Sequence, residues 1–182
     1  MPSVIIFRAR RAAALTNPNA ADTVFLDNLV STQAAFVKGP NPPIGAAGGF
    51  QFKVRAWGRA TGGVALVTFQ PKIYFGASTT IGSDNVTLAG VAATYGAASG
   101  NWGINGYYTW DPTSLQLNSF GEQWGGNTNQ ATLITGTAVT SLNLNVTDPS
   151  WLVSGIFSAS NAGNICYLDG LELELVGVPD GI

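Results

Sequence analysis

The 182-residue chain contains one cysteine and no histidine, and its formal net charge is −2. These counts exclude a catalytic triad with histidine, a His/Cys zinc site and an internal disulfide. The small negative charge argues against general binding to nucleic acid. Charged residues make up 10% of the chain and apolar residues 46%, whereas soluble domains average about 25% charged residues. The surface is therefore largely uncharged, which favours a protein whose faces are covered by copies of itself or by partners.

The few charges are unevenly distributed along the chain. All eight lysines and arginines lie at or before Lys72, and eight of the ten acidic residues follow it. The segment 1–72 therefore carries a formal charge of +6, and the segment 73–182 carries −8. In an interleaved β fold these segments pair strand against strand, which predicts attraction within the subunit or between neighbouring subunits.

Residues 1–20 are predicted to form an N-terminal arm that lies outside the core and reaches a neighbour. Arg8, Arg10 and Arg11 follow a short apolar run and precede a Pro/Asn hinge. This order is the reverse of a secretory signal peptide, and no stretch approaches the roughly 18 apolar residues of a membrane span, so we expect synthesis in the cytoplasm. Three positive charges neutralise few phosphates, which makes nucleic acid a weak ligand. The arginines are candidates for docking onto an acidic protein surface.

Residues 21–182 are predicted to form one β domain. Its first strand is 23–30, and a loop rich in Pro and Gly follows at 38–49. The segments 50–60 and 64–76 both alternate apolar and polar residues, and Gly62-Gly63 between them predicts a hairpin. Pro71 lacks a backbone donor, which predicts an edge position or a bulge at that point.

The remainder of the chain continues as short strands. Further strands are predicted at 85–91, 101–111, 115–124, 131–146, 151–160 and 164–177. Asn105-Gly106 fits a hairpin turn, and Leu171, Leu173 and Leu175 alternate with two glutamates in the last strand. Short strands without intervening amphipathic helices indicate an antiparallel two-sheet sandwich, with a jelly roll as the preferred topology.

Catalytic and cofactor sites find little support in the sequence. Asp111 and Glu122 could form the carboxylate pair of a glycosidase, but Asp111 precedes a proline and is more typical of a turn, and Glu122 of a solvated strand position. Asp84, Asp148 and Asp169 lack the spacing of a calcium loop. We therefore expect a protein that is not an enzyme and that binds no cofactor or metal.

Aromatic residues are concentrated in one part of the chain. The group consists of Trp102, Tyr107, Tyr108, Trp110 and Trp124, with several asparagines nearby. Rings beside amide and carboxylate groups suit a sugar, because its C–H faces stack on the rings and its hydroxyls need hydrogen-bond partners. The favoured interpretation is that alternate rings fill the core and the others lie at a subunit contact.

Two segments resemble jelly-roll virion proteins of tailed bacteriophages. They are "DPSWLVSGIFSASNAGNICYLDGLELELVG" (148–177), which resembles the last hairpin of those domains, and "GGFQFKVRAWGRATGGVALVTFQPKIYFG" (48–76). The resemblance implies a capsid cement or decoration protein on the capsid exterior that contacts the major capsid protein and forms a homo-oligomer, with a trimer expected first. A tail component is the alternative within that group. The alternative function is a carbohydrate-binding jelly-roll module that uses the aromatic residues of 101–124.

Overall fold

The structure, a computed structural model, describes residues 4–9, 15–16, 23–24, 50–64, 67–76, 85–95, 100–111, 113–126, 128–140 and 150–177. Within these ranges the chain forms twelve strands and no helix. The strands are β1 (Val4–Ala9), β2 (Leu15–Thr16), β3 (Thr23–Val24), β4 (Phe50–Thr61), β5 (Thr68–Gly76), β6 (Asn85–Ala89), β7 (Ala93–Thr94), β8 (Gly100–Asp111), β9 (Gln116–Gly125), β10 (Thr128–Thr135), β11 (Ser150–Phe157) and β12 (Ile165–Gly177). No helix among these residues is long and apolar enough to cross a membrane.

The strands form two antiparallel sheets. The seven-stranded sheet has the order β1-β12-β4-β8-β9-β10, with β2 also paired to β12, and the five-stranded sheet has the order β3-β11-β5-β6, with β7 paired to β5. The first and last strands, β1 and β12, are neighbours in the seven-stranded sheet. Along the chain the strands alternate between the sheets: β1 and β4 lie in the seven-stranded sheet, and β3 and β5 lie in the five-stranded sheet. This is the topology of a jelly roll, in which β9 and β10 extend one sheet. The predicted antiparallel sandwich is confirmed.

Alternation along each strand decides which side chains enter the core. In β12, Leu171 and Leu173 are 3% exposed, whereas Glu172 and Glu174, which alternate with them, are only partly buried. Cys166 and Leu168 have the opposite parity and are also fully buried. A register shift between Leu168 and Gly170 reconciles the two halves, because an extra residue in a strand moves the following side chains to the other face.

Aromatic rings from both sheets meet in the core. Trp151 lies 4.4 Å from Phe75 within the five-stranded sheet and 4.6 Å from Tyr108 of the seven-stranded sheet, measured between ring centroids. At another point, the rings of Phe69 and Trp102 lie 5.6 Å apart. Rings of this size bury much of the apolar surface that stabilises the sandwich, and their offset and tilted contacts add to that burial.

The structure corrects the predicted N-terminal arm in the part of residues 1–20 that it describes, namely residues 4–9 and 15–16. β1 pairs with β12 along its length, from Val4 opposite Leu175 to Ala9 opposite Leu171, and β2 pairs with the other end of β12. The apolar run at the start of the chain is therefore an edge strand of the jelly roll. Arg8 belongs to β1, at the position opposite Glu172, and Arg10 and Arg11 lie outside the described residues.

Two predicted hairpins are also wrong. β4 pairs with β8 and β12, while β5 pairs with strands of the other sheet, so the segment after Gly62-Gly63 crosses between the sheets. Asn105 and Gly106 lie in the middle of β8, paired on both sides. A Cβ atom at Gly106 would come within 2.6 Å of the Leu88 side chain, so this glycine makes room in the core instead of forming a turn.

Pro71 lies at a local break in the pairing of β5, as its missing donor predicts. On one side, β5 pairs with β7 at residues 68–69 and with β6 at residues 72–75. Between these two ladders, the Pro71 carbonyl accepts a hydrogen bond from the Gly90 backbone N–H at 2.8 Å. The Gln70 side-chain amide donates to the Gly90 carbonyl at 2.6 Å. The proline therefore occupies a position where no ladder donor is needed.

Candidate functional site

Strand parity divides the five aromatic residues of the predicted group between two faces. Trp102, Tyr108 and Trp110 point into the core and are 1%, 1% and 0% exposed. Tyr107 and Trp124 are half-buried and lie on the outer face of the seven-stranded sheet, the face turned away from the five-stranded sheet. The expectation that alternate rings fill the core is confirmed for three of the five, and these three are unavailable to any surface ligand.

Tyr108 is held in the core by hydrogen bonds as well as by packing. Its hydroxyl lies 3.0 Å from the Thr87 hydroxyl, which itself donates to the Ile73 carbonyl at 3.0 Å. The tyrosine hydroxyl is therefore the donor to Thr87. Burial raises the pKa of Tyr108 far above its ordinary value, which keeps this hydroxyl protonated.

The outer face carries an alternation of glycine and tryptophan across four adjacent strands. We call this set, Gly170 of β12, Trp57 of β4, Gly103 of β8 and Trp124 of β9, the tryptophan row. A Cβ atom at Gly170 would overlap the six-membered ring of Trp57, and one at Gly103 would overlap that of Trp124. Each indole therefore lies down over the glycine of the neighbouring strand. Both indoles are half-buried, so the surface turned away from the sheet faces solvent.

Hydrogen-bonding groups lie beside the tryptophan row. A second row lies two residues further along the strands, and we call it the polar row. Its members, opposite one another on adjacent strands, are Glu172, Arg55, Asn105 and Glu122. The Asn105 amide donates to the Glu122 carboxylate at 2.8 Å. On the other side of the tryptophan row, Asn101 opposes Arg59, and both are exposed. Amide, carboxylate and guanidinium groups thus flank the indoles on both sides.

A second aromatic contact lies beyond the polar row. Tyr107 and Phe120 are opposite each other on β8 and β9, and their rings stack at 5.0 Å with an angle of 12° between the planes. The Lys53 ammonium lies 4.8 Å from the centre of the Tyr107 ring, within range of a cation–π attraction. Phe120 is 60% exposed, so this pair presents apolar surface to solvent.

The charges of the outer face are largely paired with one another. Arg59 makes two hydrogen bonds to Asp169, at 2.9 and 3.0 Å, and these raise its pKa. The guanidinium of Arg55 lies 3.8 Å from Glu172 and 3.7 Å from Glu174. All of these pairs join β4 to β12, which confirms the predicted attraction between the basic first part and the acidic second part of the chain.

The two carboxylates considered as a glycosidase pair are far apart. Asp111 forms the turn after β8, where it accepts hydrogen bonds from the Thr113 backbone N–H at 2.8 Å and the Ser114 hydroxyl at 2.7 Å. Glu122 is opposite Asn105, six residues from Asp111 along β8. Six residues of strand span about 20 Å, whereas glycosidase carboxyl groups lie about 5–9.5 Å apart. This pair therefore cannot act together.

No metal site is found in the described part of the chain. No group of three or more histidine, cysteine, aspartate or glutamate residues there is placed to hold a metal ion. Asp169, one of the three aspartates considered for calcium, is bonded to Arg59. Asp84 and Asp148 lie outside the described residues.

Two outward aromatic residues, Trp57 of the tryptophan row and Phe120 beside Tyr107, were not singled out in the sequence. Trp57 continues the polar parity of β4 after Lys53 and Arg55, and that parity alone predicts an outward indole. On β9, the residues Leu117, Gly121 and Gln123 share one parity and are buried. Phe120 has the other parity, which likewise predicts an outward ring. Closeness in sequence to the predicted aromatic group does not indicate which residues share this surface, because the outer face brings together residues of four strands.

Comparisons with known proteins found no family and distant similarities to solved structures. No protein-family model matches the chain, and no curated protein matches it. Among solved structures, it is similar to the legume lectin-like domain from Entamoeba histolytica, with a TM-score of 0.37 and 6% identity over 70% of this chain and 74% of that chain. It is also similar to peanut lectin, solved with a 9mer peptide, with a TM-score of 0.32 and 8% identity over 72% of this chain and 73% of that chain.

Proposed function

We propose that the protein is a non-enzymatic carbohydrate-binding module whose ligand lies on the outer face of the seven-stranded sheet. The observation that carries the proposal is the tryptophan row, in which Trp57 and Trp124 lie down over glycines and keep one ring surface in solvent. A sugar presents C–H groups on its ring faces, and a broad aromatic surface is the complementary partner. Aromatic residues with few, well-placed polar groups are the usual lining of a small-molecule site.

The polar neighbours of the row supply partners for hydroxyl groups. Successive outward side chains along a strand are about 7 Å apart, so Asn105 and Glu122 lie one step from Gly103 and Trp124. The Glu122 carboxylate uses one oxygen to hold the Asn105 amide. Ionised carboxylates are strong acceptors for hydroxyl donors. The combination of ring and acceptor is what distinguishes a sugar site from a purely apolar contact.

Binding to an array of neutral and acidic glycans tests the proposal, followed by calorimetric titration of the best ligand. We expect Trp124→Ala to lower the affinity at least tenfold, which is about 1.4 kcal/mol. Leu133→Ala is the matched control, because Leu133 is also apolar and on the outer face but is 84% exposed at the sheet edge. It should leave the affinity unchanged. The proposal fails if the wild-type protein binds no glycan or if Trp124→Ala binds as well as the wild type.

A structural role in a phage virion is the second candidate, and an exposed apolar corner favours it. Leu133 of β10 is opposite Glu122, which places it diagonally beside Phe120, and these two side chains are 84% and 60% exposed. Exposed apolar side chains beside one another are typical of protein contacts. We propose that copies of the chain associate through this corner, as a trimer first, or that it contacts the major capsid protein on the capsid exterior.

Light scattering separates this second candidate from the first. A homo-oligomer that Leu133→Asp dissociates, with Thr109→Asp on the same face as the control, would support it. A mass-spectrometric inventory of purified virions should then contain the protein. A monomer at micromolar concentration that is absent from virions would contradict the virion role and leave the glycan proposal standing.

A further inference from the structure

We infer that the ligand is an extended, uncharged glycan chain that runs across the strands along the tryptophan row and contacts Trp57 and Trp124 with two different sugar units. This inference rests on the proposed function and names its substrate class. The alternative is a single terminal sugar held at one ring.

The spacing of the two indoles carries the first step. Trp57 lies over Gly170 on β12, and Trp124 lies over Gly103 on β8. β12 and β8 are separated by β4 in the sheet. Neighbouring strands lie about 4.8 Å apart, which places the two rings roughly 10 Å apart across the strands. A single sugar ring is too small to contact both, so simultaneous contact requires at least two units of a chain.

The glycines carry the second step. Because both indoles occupy the space that a side chain would need at Gly103 and Gly170, both rings lie close to the backbone of the same sheet. They therefore form two patches at the same level on one surface. A chain that lies flat can contact both rings, whereas a compact or sharply bent ligand would contact only one of them. An equatorially linked glycan, whose successive rings lie in one ribbon, has this shape.

The polar flanks carry the third step. Asn105 and Glu122 lie on one side of the tryptophan row, and Asn101 and Arg59 lie on the other. A flat glycan chain has hydroxyl groups along both of its edges. Hydrogen-bonding groups on both sides of a stacking surface are therefore arranged for a ribbon, whereas one terminal sugar would use only one side.

Charge complementarity carries the fourth step. The tryptophan row itself contains no charged residue, and Arg59 and Arg55 next to it already face Asp169, Glu172 and Glu174. An acidic chain would have to compete with these carboxylates for the two guanidinium groups, and it would approach four acidic residues of the same face, counting Glu122. An uncharged chain does not compete for the guanidinium groups and is not repelled by the carboxylates.

The test is a calorimetric length series with neutral β-1,4-linked oligosaccharides of one to six units (glucose, N-acetylglucosamine, mannose and xylose), with β-1,4-linked mannuronic acid oligomers as the charged probe that matches the mannose series. We expect the affinity for a neutral series to rise at least tenfold between one and four units, and the acidic oligomers to bind at least tenfold more weakly. Trp57→Ala and Trp124→Ala should each lower the tetrasaccharide affinity at least tenfold. Tyr107→Ala is the matched aromatic control and should leave it within twofold.

The possible failures are distinguishable. If a monosaccharide binds as tightly as the tetrasaccharide, and Trp124→Ala abolishes binding while Trp57→Ala has no effect, the chain inference is overturned and the glycan proposal stands. Tighter binding of the acidic oligomers overturns the uncharged class. If neither these probes nor the glycan array shows binding, both the inference and the proposed function are overturned. Far-UV circular dichroism of each variant confirms that the sheets are intact.

Discussion

The two faces of the seven-stranded sheet use the same residue types for different purposes. Its inner face buries Trp102, Tyr108 and Trp110 almost completely, while its outer face leaves Trp57 and Trp124 half-buried over glycines. All five rings belong to three neighbouring strands, so neither residue type nor position in the sheet separates the inner rings from the outer ones. Strand parity does, because successive side chains point to opposite faces. The lesson is that an aromatic cluster in a β protein must be divided by parity before any role is assigned.

The largest expected difference between the faces is in stability. Trp110→Ala should lower the free energy of unfolding by about 3–5 kcal/mol, because it leaves a large cavity in a packed core. Trp124→Ala removes a half-buried ring and should cost about 1 kcal/mol. Urea denaturation of both variants measures the difference. Similar losses for the two would mean that the outer ring is as much a structural element as the inner one.

Glycine substitutions give the next largest contrast. A Cβ atom at Gly58, on the inner side, would overlap the Tyr167 backbone carbonyl, and backbone cannot move aside without disturbing the register shift of β12. Gly58→Ala should therefore cost about 1–3 kcal/mol, as overpacked sites do. At Gly103 the obstacle is the Trp124 side chain, which can rotate into solvent.

Gly103→Ala should therefore shift the tryptophan fluorescence to longer wavelength with a smaller loss of stability than Gly58→Ala. The reverse order of stabilities would contradict the assignment of the Trp124 indole to the outer surface.

The sequence predicts the strands of this fold better than it predicts which strands pair with one another. Period-two alternation correctly identifies β4, β5, β9 and β12, and the number and spacing of such strands favour the jelly roll. The segment 101–111, predicted as a hairpin, is instead the single strand β8. Alternation shows which face of a strand is buried but not which strand lies beside it. The predicted hairpin between 50–60 and 64–76 is wrong for that reason. The predicted arm is wrong at residues 4–9, because these residues pair with β12, which is far away in the sequence.

The candidate site was predictable only in part. Tyr107 and Trp124 belong to the predicted aromatic group, but the tryptophan row needs Trp57 and Gly170, which are more than forty residues away on either side. Local signals are also misleading at Gly106, where Asn-Gly is typical of a turn but the glycine accommodates Leu88 and Tyr108. Contacts between distant strands depend on the pairing of the whole sheet, which no short sequence pattern contains.

Two adjacent tyrosines, Tyr108 on the inner face and Tyr107 on the outer face, should show a smaller difference in stability between the faces. Tyr108→Phe removes the buried hydroxyl that donates to Thr87 and should cost about 1 kcal/mol, a typical net value for one hydrogen bond. Tyr107→Phe keeps the ring stacked on Phe120 on the outer face and should change stability by less than about 0.5 kcal/mol. Thermal or urea unfolding measures both. Equal effects would mean that the Thr87 contact adds nothing to the folded state.

The smallest expected effect concerns ionisable groups in buried and exposed settings. Burial raises the pKa of Tyr95 to about 12, whereas hydrogen bonds lower the pKa of Asp111 in the exposed turn after β8, with the Ser114 hydroxyl as the largest cause. Because the Asp111 pKa is lower in the folded state than in the unfolded state, its contribution to stability is present above the unfolded pKa. That contribution is lost as the pH falls through the folded pKa.

Ser114→Ala removes this hydroxyl donor and should therefore raise the Asp111 pKa towards its ordinary value, while the Thr113 backbone N–H still holds it slightly low. Thr109→Ala, also exposed on β8, is the control and should leave the titration unchanged. NMR titration of the Asp111 side-chain carboxyl carbon follows the shift directly. An Asp111 pKa that is the same in the wild type and in Ser114→Ala would show that the exposed hydrogen bond is too weakly populated in solution to favour the ionised form, and the contrast with the buried tyrosine would then rest on desolvation alone.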